Sequence, residues 1–244
     1  MAFSILITRP EPAAVDFAAK LRARLGAGVQ IVTSPILRIE RVAGALPDLS
    51  RTGTLVLTSV HAVSALADLP QVMRPVCYCV GATTAAAARA AGFAAVDGGG
   101  DARALLARIL ADRPHGPIHY LRGEHVAANL VAELSAAGYE TDETVVYRQR
   151  QQPLNAKAKA LLSGDAPVIL PLFSPRSAAL LFEAASHGAP LHIAAISRNA
   201  ADRVPPDRAA QLIVTDAPTA EAMLAATLAL VDAVKRVETG TGSK

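Results

Sequence analysis

Residues 55–66 read LVLTSVHAVSAL, and residues 170–181 read LPLFSPRSAALL. Each is an apolar run, then a hydroxyl residue at a turn, then the start of an alanine-rich helix. The likeness extends well beyond this junction. ILITRPEPAAVDFAAKLRARLGAGVQIVTSPIL has a counterpart in IHYLRGEHVAANLVAELSAAGYETDETVVYRQR, and CYCVGATTAAAARAAGF has one in HIAAISRNAADRVPP. Arg9 matches Arg122, Ser59 matches Ser174 and Gly81 matches Ser197, at offsets of 113, 115 and 116. Three units in the same order at a nearly constant offset indicate an internal duplication. Its period is far too long for a solenoid, so two similar domains are expected. Such pairs hold ligands in the cleft between them.

Short β-branched runs alternate with longer amphipathic stretches along the whole chain. Strands are expected at 4–8, 29–32, 54–58, 76–80, 93–96, 117–121, 142–147, 167–173, 191–196 and 211–215. Helices are expected at 11–25, 60–68, 82–91, 101–112, 125–137, 155–163, 175–187, 198–203 and 218–236. Apolar strands separated by helices predict an α/β architecture with parallel sheets. Gly92, Gly138 and Gly188 stand where helix C-caps are expected, and the tail ETGTGSK reads as disordered. Composition agrees: 52% of residues are hydrophobic but only 4% aromatic. The core must therefore be built from Ala, Val, Leu and Ile, which suits parallel sheets covered by alanine-rich helices.

The formal net charge is +3, with Arg and Lys scattered and few aromatics among them. That argues against a nucleic-acid surface and leaves room for a small acidic ligand. Cys77 and Cys79 share one face of a strand. They read as small buried side chains rather than a bridge or a zinc site, and the absence of a disulfide framework favours a reducing compartment. No secretory signal is evident at MAFSILITRP, and the most apolar helix carries Glu221 and Asp232 and is too short to span a bilayer. A soluble, cytoplasmic protein is expected.

In open parallel sheets, ligands bind beyond the carboxyl ends of the strands. The residues expected there are Arg9-Pro10, Thr58-Ser59, Gly81 to Thr84, Arg122-Gly123, Ser174-Pro175 and Ser197 to Asn199. Several begin helices, whose free N–H groups and positive partial charge favour carboxylate or phosphate. Each hydroxyl can equally be a simple N-cap. The six histidines show no metal-ligand spacing, and no P-loop, GxGxxG or GxSxG occurs. DGGGD at 97–101 reads as a flexible loop rather than a phosphate cradle. What remains is a set of anion-binding helix starts without an obvious nucleophile, metal or cofactor site.

Taken in order, ILITRP, LVLTSVHAV, YCVGATTAAAARAAGF, HYLRG, AAGYETDETVVYR, LFSPRSAALLF and AAISRNAA resemble the uroporphyrinogen-III synthase family over about residues 4–232. The resemblance implies two similar flavodoxin-like α/β domains with parallel sheets, joined by a two-stranded linker. Residues 1–33 would form one domain with 154–244, residues 45–141 the other, and 34–44 and 142–153 the linker strands. The repeat alone would pair consecutive units instead. The implied activity is closure of the linear tetrapyrrole hydroxymethylbilane to uroporphyrinogen III, with inversion of the last pyrrole ring and loss of water. No metal or organic cofactor is implied, and a monomer without nucleic-acid or membrane partners is expected.

Carried over by position, Tyr147 in VVYR is the residue implied to assist departure of the substrate hydroxyl; packing in the linker is the other reading of it. Arg9, Ser59, Thr84, Arg122, Ser174 and Ser197 are the expected substrate-binding residues. The sequence also departs from the family's pattern. Val60 follows the Ser of TS where Pro or Asn is usual, and EHV follows LRG in place of GR. ISRNAA stands for IGxxTA, so Ser197, Asn199 and Ala200 replace Gly, a hydroxyl residue and Thr. The rival reading is a non-catalytic two-domain binding module for a small anionic ligand, which the ISRNAA turn favours. A pair of phosphorylated receiver domains lacks the acidic cluster it would need.

Overall fold

The computed structural model describes residues 3–45, 48–66, 74–125, 129–184 and 188–241, with side chains described as far as Val237. The backbone divides into two compact units. Unit 1 comprises residues 1–38 and 150–244, and unit 2 comprises residues 39–149.

Unit 1 is built on a five-stranded sheet. Its strands are β1 (Ser4–Ile7), β2 (Gln30–Thr33), β9 (Val168–Leu172), β10 (Leu191–Ala195) and β11 (Ala209–Val214), in the order β11-β10-β9-β1-β2. Every pairing is parallel, for example Ile5 with Ile31 and Ile193 with Leu170. β1 and β9 are buried at every residue because helices cover both faces, which is why they read as unbroken apolar runs. One face packs Leu6, Leu170, Leu172 and Ile193 under α6 (Ala156–Ser163) and α7 (Pro175–Ala184). The other packs Ile5, Ile7 and Ile169 against Phe17 and Leu21 of α1 (Ala13–Leu25) and Met223 and Leu230 of α9 (Ala220–Thr241).

Unit 2 holds the strands β3 (Leu37–Arg41), β4 (Thr54–Leu57), β5 (Val76–Cys79), β6 (Ala95–Asp97), β7 (Ile118–Gly123) and β8 (Thr141–Gln151), in the order β3-β8-β7-β4-β5-β6. From β8 to β6 the pairing is parallel. Helices α2 (Val60–Ala65) and α3 (Ala82–Ala90) cover one face, α4 (Ala102–Asp112) and α5 (Leu130–Ala136) the other. The chain passes between the units through β3 and β8. Val42 N–H donates to Val146 O, and Gln152 N–H donates to Ile36 O, so these two strands run in opposite directions.

Several element ends differ from the sequence expectation. The strand expected at 93–96 lies at Ala95–Asp97. Gly92, at φ +87°, turns the chain off α3 and drops Phe93 into the core before the strand begins. The helix expected at 198–203 is only α8 (Arg198–Ala201); Pro205 has no N–H to carry a helix on and disfavours the helical region at the residue before it. The helix expected from 125 starts at Leu130, capped by the Asn129 side chain, and residues 126–128 lie outside the described residues. Residues 67–68 of the second expected helix lie outside them too, as do 185–187, which precede the expected cap at Gly188. Gly138, at φ +90°, follows α5 as expected. The tail differs most: α9 continues to Thr241, through residues expected to be disordered, while 242–244 lie outside the described residues. Helix propagation adds one hydrogen bond per residue, and nothing in KRVET breaks it.

The DGGGD segment is a tight turn rather than a loose loop. The Asp97 carboxylate accepts from Gly99 N–H, and Asp101 caps α4 by accepting from Ala104 N–H at 2.8 Å. Gly99 and Gly100 take φ of +94° and +107°. A Cβ on Gly98 would stand 2.7 Å from Cys79 O, so this position has no room for a side chain. Cys77 and Cys79 are buried and unbridged. No helix among the described residues is long and apolar enough to cross a membrane.

Candidate active site

Both sheets present their carboxyl edges through the junctions picked out in the sequence. In unit 1, Arg9, Ser174 and Ser197 follow β1, β9 and β10, three adjacent strands. Strand spacing sets them on a row about 10 Å long. Phe173 organises the middle of that row. Its ring meets Phe17 edge-on at a centroid distance of 4.8 Å. The Arg9 guanidinium lies over the same ring, 4.0 Å from its centroid. Such a stack is worth about 0.5–1 kcal/mol at an exposed site, and more where water is excluded. Burial pushes the Arg9 pKa down, with Asp16 partly opposing that shift. Among the described residues no carboxylate lies within ion-pair distance of Arg9, so a carboxylate ligand would meet a pre-oriented, partly desolvated cation.

The hydroxyls are more committed. Ser174 Oγ accepts from Ser177 N–H at 3.0 Å and donates to Ser177 Oγ at 2.9 Å. Its proton is thus already placed. Ser197 Oγ accepts from Ala200 N–H at 3.3 Å and Ser59 Oγ from His61 N–H at 3.2 Å. All three serve as caps, and Ser59 and Ser197 keep a hydroxyl proton to donate. Gly81 caps α3 without a side chain, leaving the first N–H groups of that helix uncovered by one. Thr84 is only 5% exposed, on the covered side of α3, whereas its neighbour Thr83 is exposed.

In unit 2 the edge gathers around Tyr147. Its ring packs 5.5 Å from the His61 ring, inclined at 60°. His61 stands in the first turn of α2, two residues after the cap at Ser59, and its N–H donates to that cap, so it links Ser59 to Tyr147. Beside them the Thr58 hydroxyl and the Tyr120 phenol are hydrogen-bonded at 2.9 Å. Burial pushes the Tyr120 phenol pKa up, and the Thr58 contact partly offsets this. The Tyr147 hydroxyl forms no hydrogen bond among the described residues.

Arg122 is tied down. Its Nη2 pairs with Glu143, and its Nη1 donates to the Gly123 carbonyl at 3.0 Å and the Glu124 carbonyl at 3.4 Å. The Glu143 hydrogen bond raises the pKa of the guanidinium further. Arg9 and Arg122, equivalent in the repeat, therefore sit in opposite situations: one stacked and without an anion, the other already holding one. His61, Tyr120 and Gly123 carry the geometry here. Sequence offered one hint for His61, its position two residues after the Ser of TS, and none for the Tyr120–Thr58 pair, which depends on strand register. A separate cavity of about 350 Å³, lined by Arg41 to Ala45, Ala65 and Val146, contains none of the expected site residues. Among the described residues no group of three His, Cys, Asp or Glu side chains could hold a metal ion.

Two parallel α/β units with polar, cation-bearing carboxyl edges define a two-unit α/β protein suited to a small anionic ligand. The chain belongs to the uroporphyrinogen-III synthase family: the family model described as Uroporphyrinogen-III synthase HemD matches residues 16–225. The fold is similar to that of the uroporphyrinogen-III synthetase from Helicobacter pylori 26695, at 17% identity over 94% of this chain and all of that one, with a TM-score of 0.66. It is also similar to a mutant uroporphyrinogen III synthase from the extremely thermophilic bacterium Thermus thermophilus, at 19% identity over 95% and 99% of the two chains, with a TM-score of 0.59. A search of curated proteins finds no significant match.

Proposed function

We propose that this chain closes hydroxymethylbilane to uroporphyrinogen III, inverting the last pyrrole ring and releasing water. The observation that carries this reading is the family match over residues 16–225. The site geometry fits it. Arg9 and the N-terminal turns of α3 and α7 offer charge and N–H groups to the substrate's carboxylates. Tyr147 donates a proton or hydrogen bond to the departing hydroxyl. The remaining work is orientation, holding the bilane so that its ends meet in the inverted sense. Of the expected binding hydroxyls, Ser59 and Ser197 donate to substrate; Ser174 and Thr84 act by shaping the turns that carry the amides.

The same reading takes 1–33 with 154–244 as one domain, 45–141 as the other, and 34–44 with 142–153 as linker strands. It has the protein work as a cytoplasmic monomer, without cofactor, nucleic acid or membrane. The test is to supply the purified chain with bilane in the presence of a chelator and to separate the product isomers. Uncatalysed closure gives the I isomer, so a shift to the III isomer supports the reading. An unchanged isomer ratio with folded protein replaces it with the anionic-ligand binding module.

A further inference from the structure

The seat of Tyr147 has an unusual construction. β7 and β8 run in register from Ile118–Thr141 to Arg122–Val145, and then the register slips so that Gly123 faces Tyr147. Val146 is the extra residue, and Val146 and Tyr147 in succession pack into the core on one face of the sheet, against the alternation of a regular strand. Bulges of this kind re-aim a side chain. This one is held in place: Arg122, the last residue before the slip, bonds Glu143 on β8 and the Gly123 and Glu124 carbonyls beyond it. Glu124 N–H in turn donates to Tyr147 O at 3.1 Å.

The re-aimed ring comes to rest on bare backbone. A Cβ on Gly123 would stand 2.6 Å from Tyr147 Cζ and 2.8 Å from its Cε2 and hydroxyl oxygen. The φ of Gly123 lies outside the left-handed region. Conformation therefore does not require glycine at this position; space for the phenol does. The His61 ring lies against Tyr147 as well.

We propose that Gly123 is a positioning residue for the reaction: together with the Arg122-held bulge it seats the Tyr147 hydroxyl at the point where the substrate's hydroxyl departs. This rests on the synthase reading above. A methyl group at Gly123 pushes the outer end of the phenol aside, and that end can turn without unfolding the sheet. A misplacement of this size costs roughly tenfold to a hundredfold in turnover.

The experiment is a double-mutant cycle on the full chain, with kcat, KM, isomer ratio and urea midpoint measured for wild type, Gly123→Ala, Tyr147→Phe and the double variant. Expected are a fall in kcat with KM and midpoint near wild type for Gly123→Ala, and less than about a twofold further loss when it is added to Tyr147→Phe. Wild-type kcat in Gly123→Ala or in Tyr147→Phe overturns the proposal. Equal losses from Gly123→Ala in both backgrounds overturn it too, while leaving the synthase reading intact. A wild-type protein that yields only the I isomer overturns that reading, and the proposal with it.

Discussion

Ser34 and Asn155, 121 residues apart in sequence, are bonded where the chain leaves unit 1 and where it returns: Asn155 N–H donates to Ser34 Oγ at 2.9 Å. The Asn155 side chain works in both directions. Its amide donates to Thr33 O at 3.0 Å, and its oxygen caps α6 by accepting from Ala158 N–H at 2.9 Å. One residue thus fixes the end of β2, the start of α6 and the spacing of the two crossings. Asn155→Ala should cost about 1–2 kcal/mol, the worth of a cap with one further bond. Ser34 is buried, so Ser34→Ala leaves the Asn155 N–H without its acceptor and should cost about as much. Urea midpoints for both variants measure this; no shift in either would deny the clip any part in stability.

The two arginines of the repeat should fail differently. Arg9 has no anion among the described residues, so Arg9→Ala should raise KM roughly tenfold, the loss of one charge-assisted bond. Arg122 is committed to Glu143 and two carbonyls, so Arg122→Ala should lower kcat and stability with little change in KM. Steady-state kinetics with bilane separates the two. Equal rises in KM would mean that the pairing of Arg122 gives way to substrate.

Burial pushes the Cys77 thiol up to about 12 and the Cys79 thiol up to about 11. Thiolate is the reactive form. At pH 8 neither should label with a maleimide in the folded protein, and both should label in denaturant. Fast labelling of the native chain would show that β5 opens readily.

His119 bonds Thr144 at 2.8 Å, and burial lowers its pKa below the ordinary 6.5, with Asp142 opposing the shift. The folded state therefore takes up its proton at lower pH than the unfolded chain does. Its contribution is complete above pH 6.5 and is lost as pH falls below that value towards the folded pKa. His119→Gln should flatten the pH dependence of stability over that range, read from urea midpoints. An unchanged slope would mean that the Asp142 charge cancels the effect of burial.

The alternation of apolar runs and alanine-rich stretches made the α/β class legible, since a strand covered on both faces must be apolar throughout. The order and spacing of short motifs carried the family. Finer matters were set by geometry that sequence encodes only indirectly. Thr83 and Thr84 are adjacent and chemically alike, yet one step along a helix turns a side chain by about 100°, enough to bury one and expose the other. The commitment of Arg122 depends on strand register: Val145 faces it across the ladder, and Glu143, two residues earlier on β8, is the residue its guanidinium reaches. The serines were legible as hydroxyls at helix starts, but their caps depend on the turn each one closes.

β1 lies between β2 and β9, paired on both sides within its sheet, although it precedes every other strand among the described residues. During synthesis it leaves the ribosome well over a hundred residues before its second neighbour exists. A two-stranded fragment of this kind is marginal in water, and its apolar edge is a site for unwanted pairing. Unit 2 has every strand within residues 37–151 and can complete its sheet while unit 1 still waits. Residues 168–241 emerge later and supply β9, β10 and β11 together with the helices α7 and α9 that cover the two faces of the unit 1 sheet. Ribosome-bound chains just long enough to bring residue 151 out of the exit tunnel should accordingly protect unit 2 from protease and leave the first 33 residues open to cleavage.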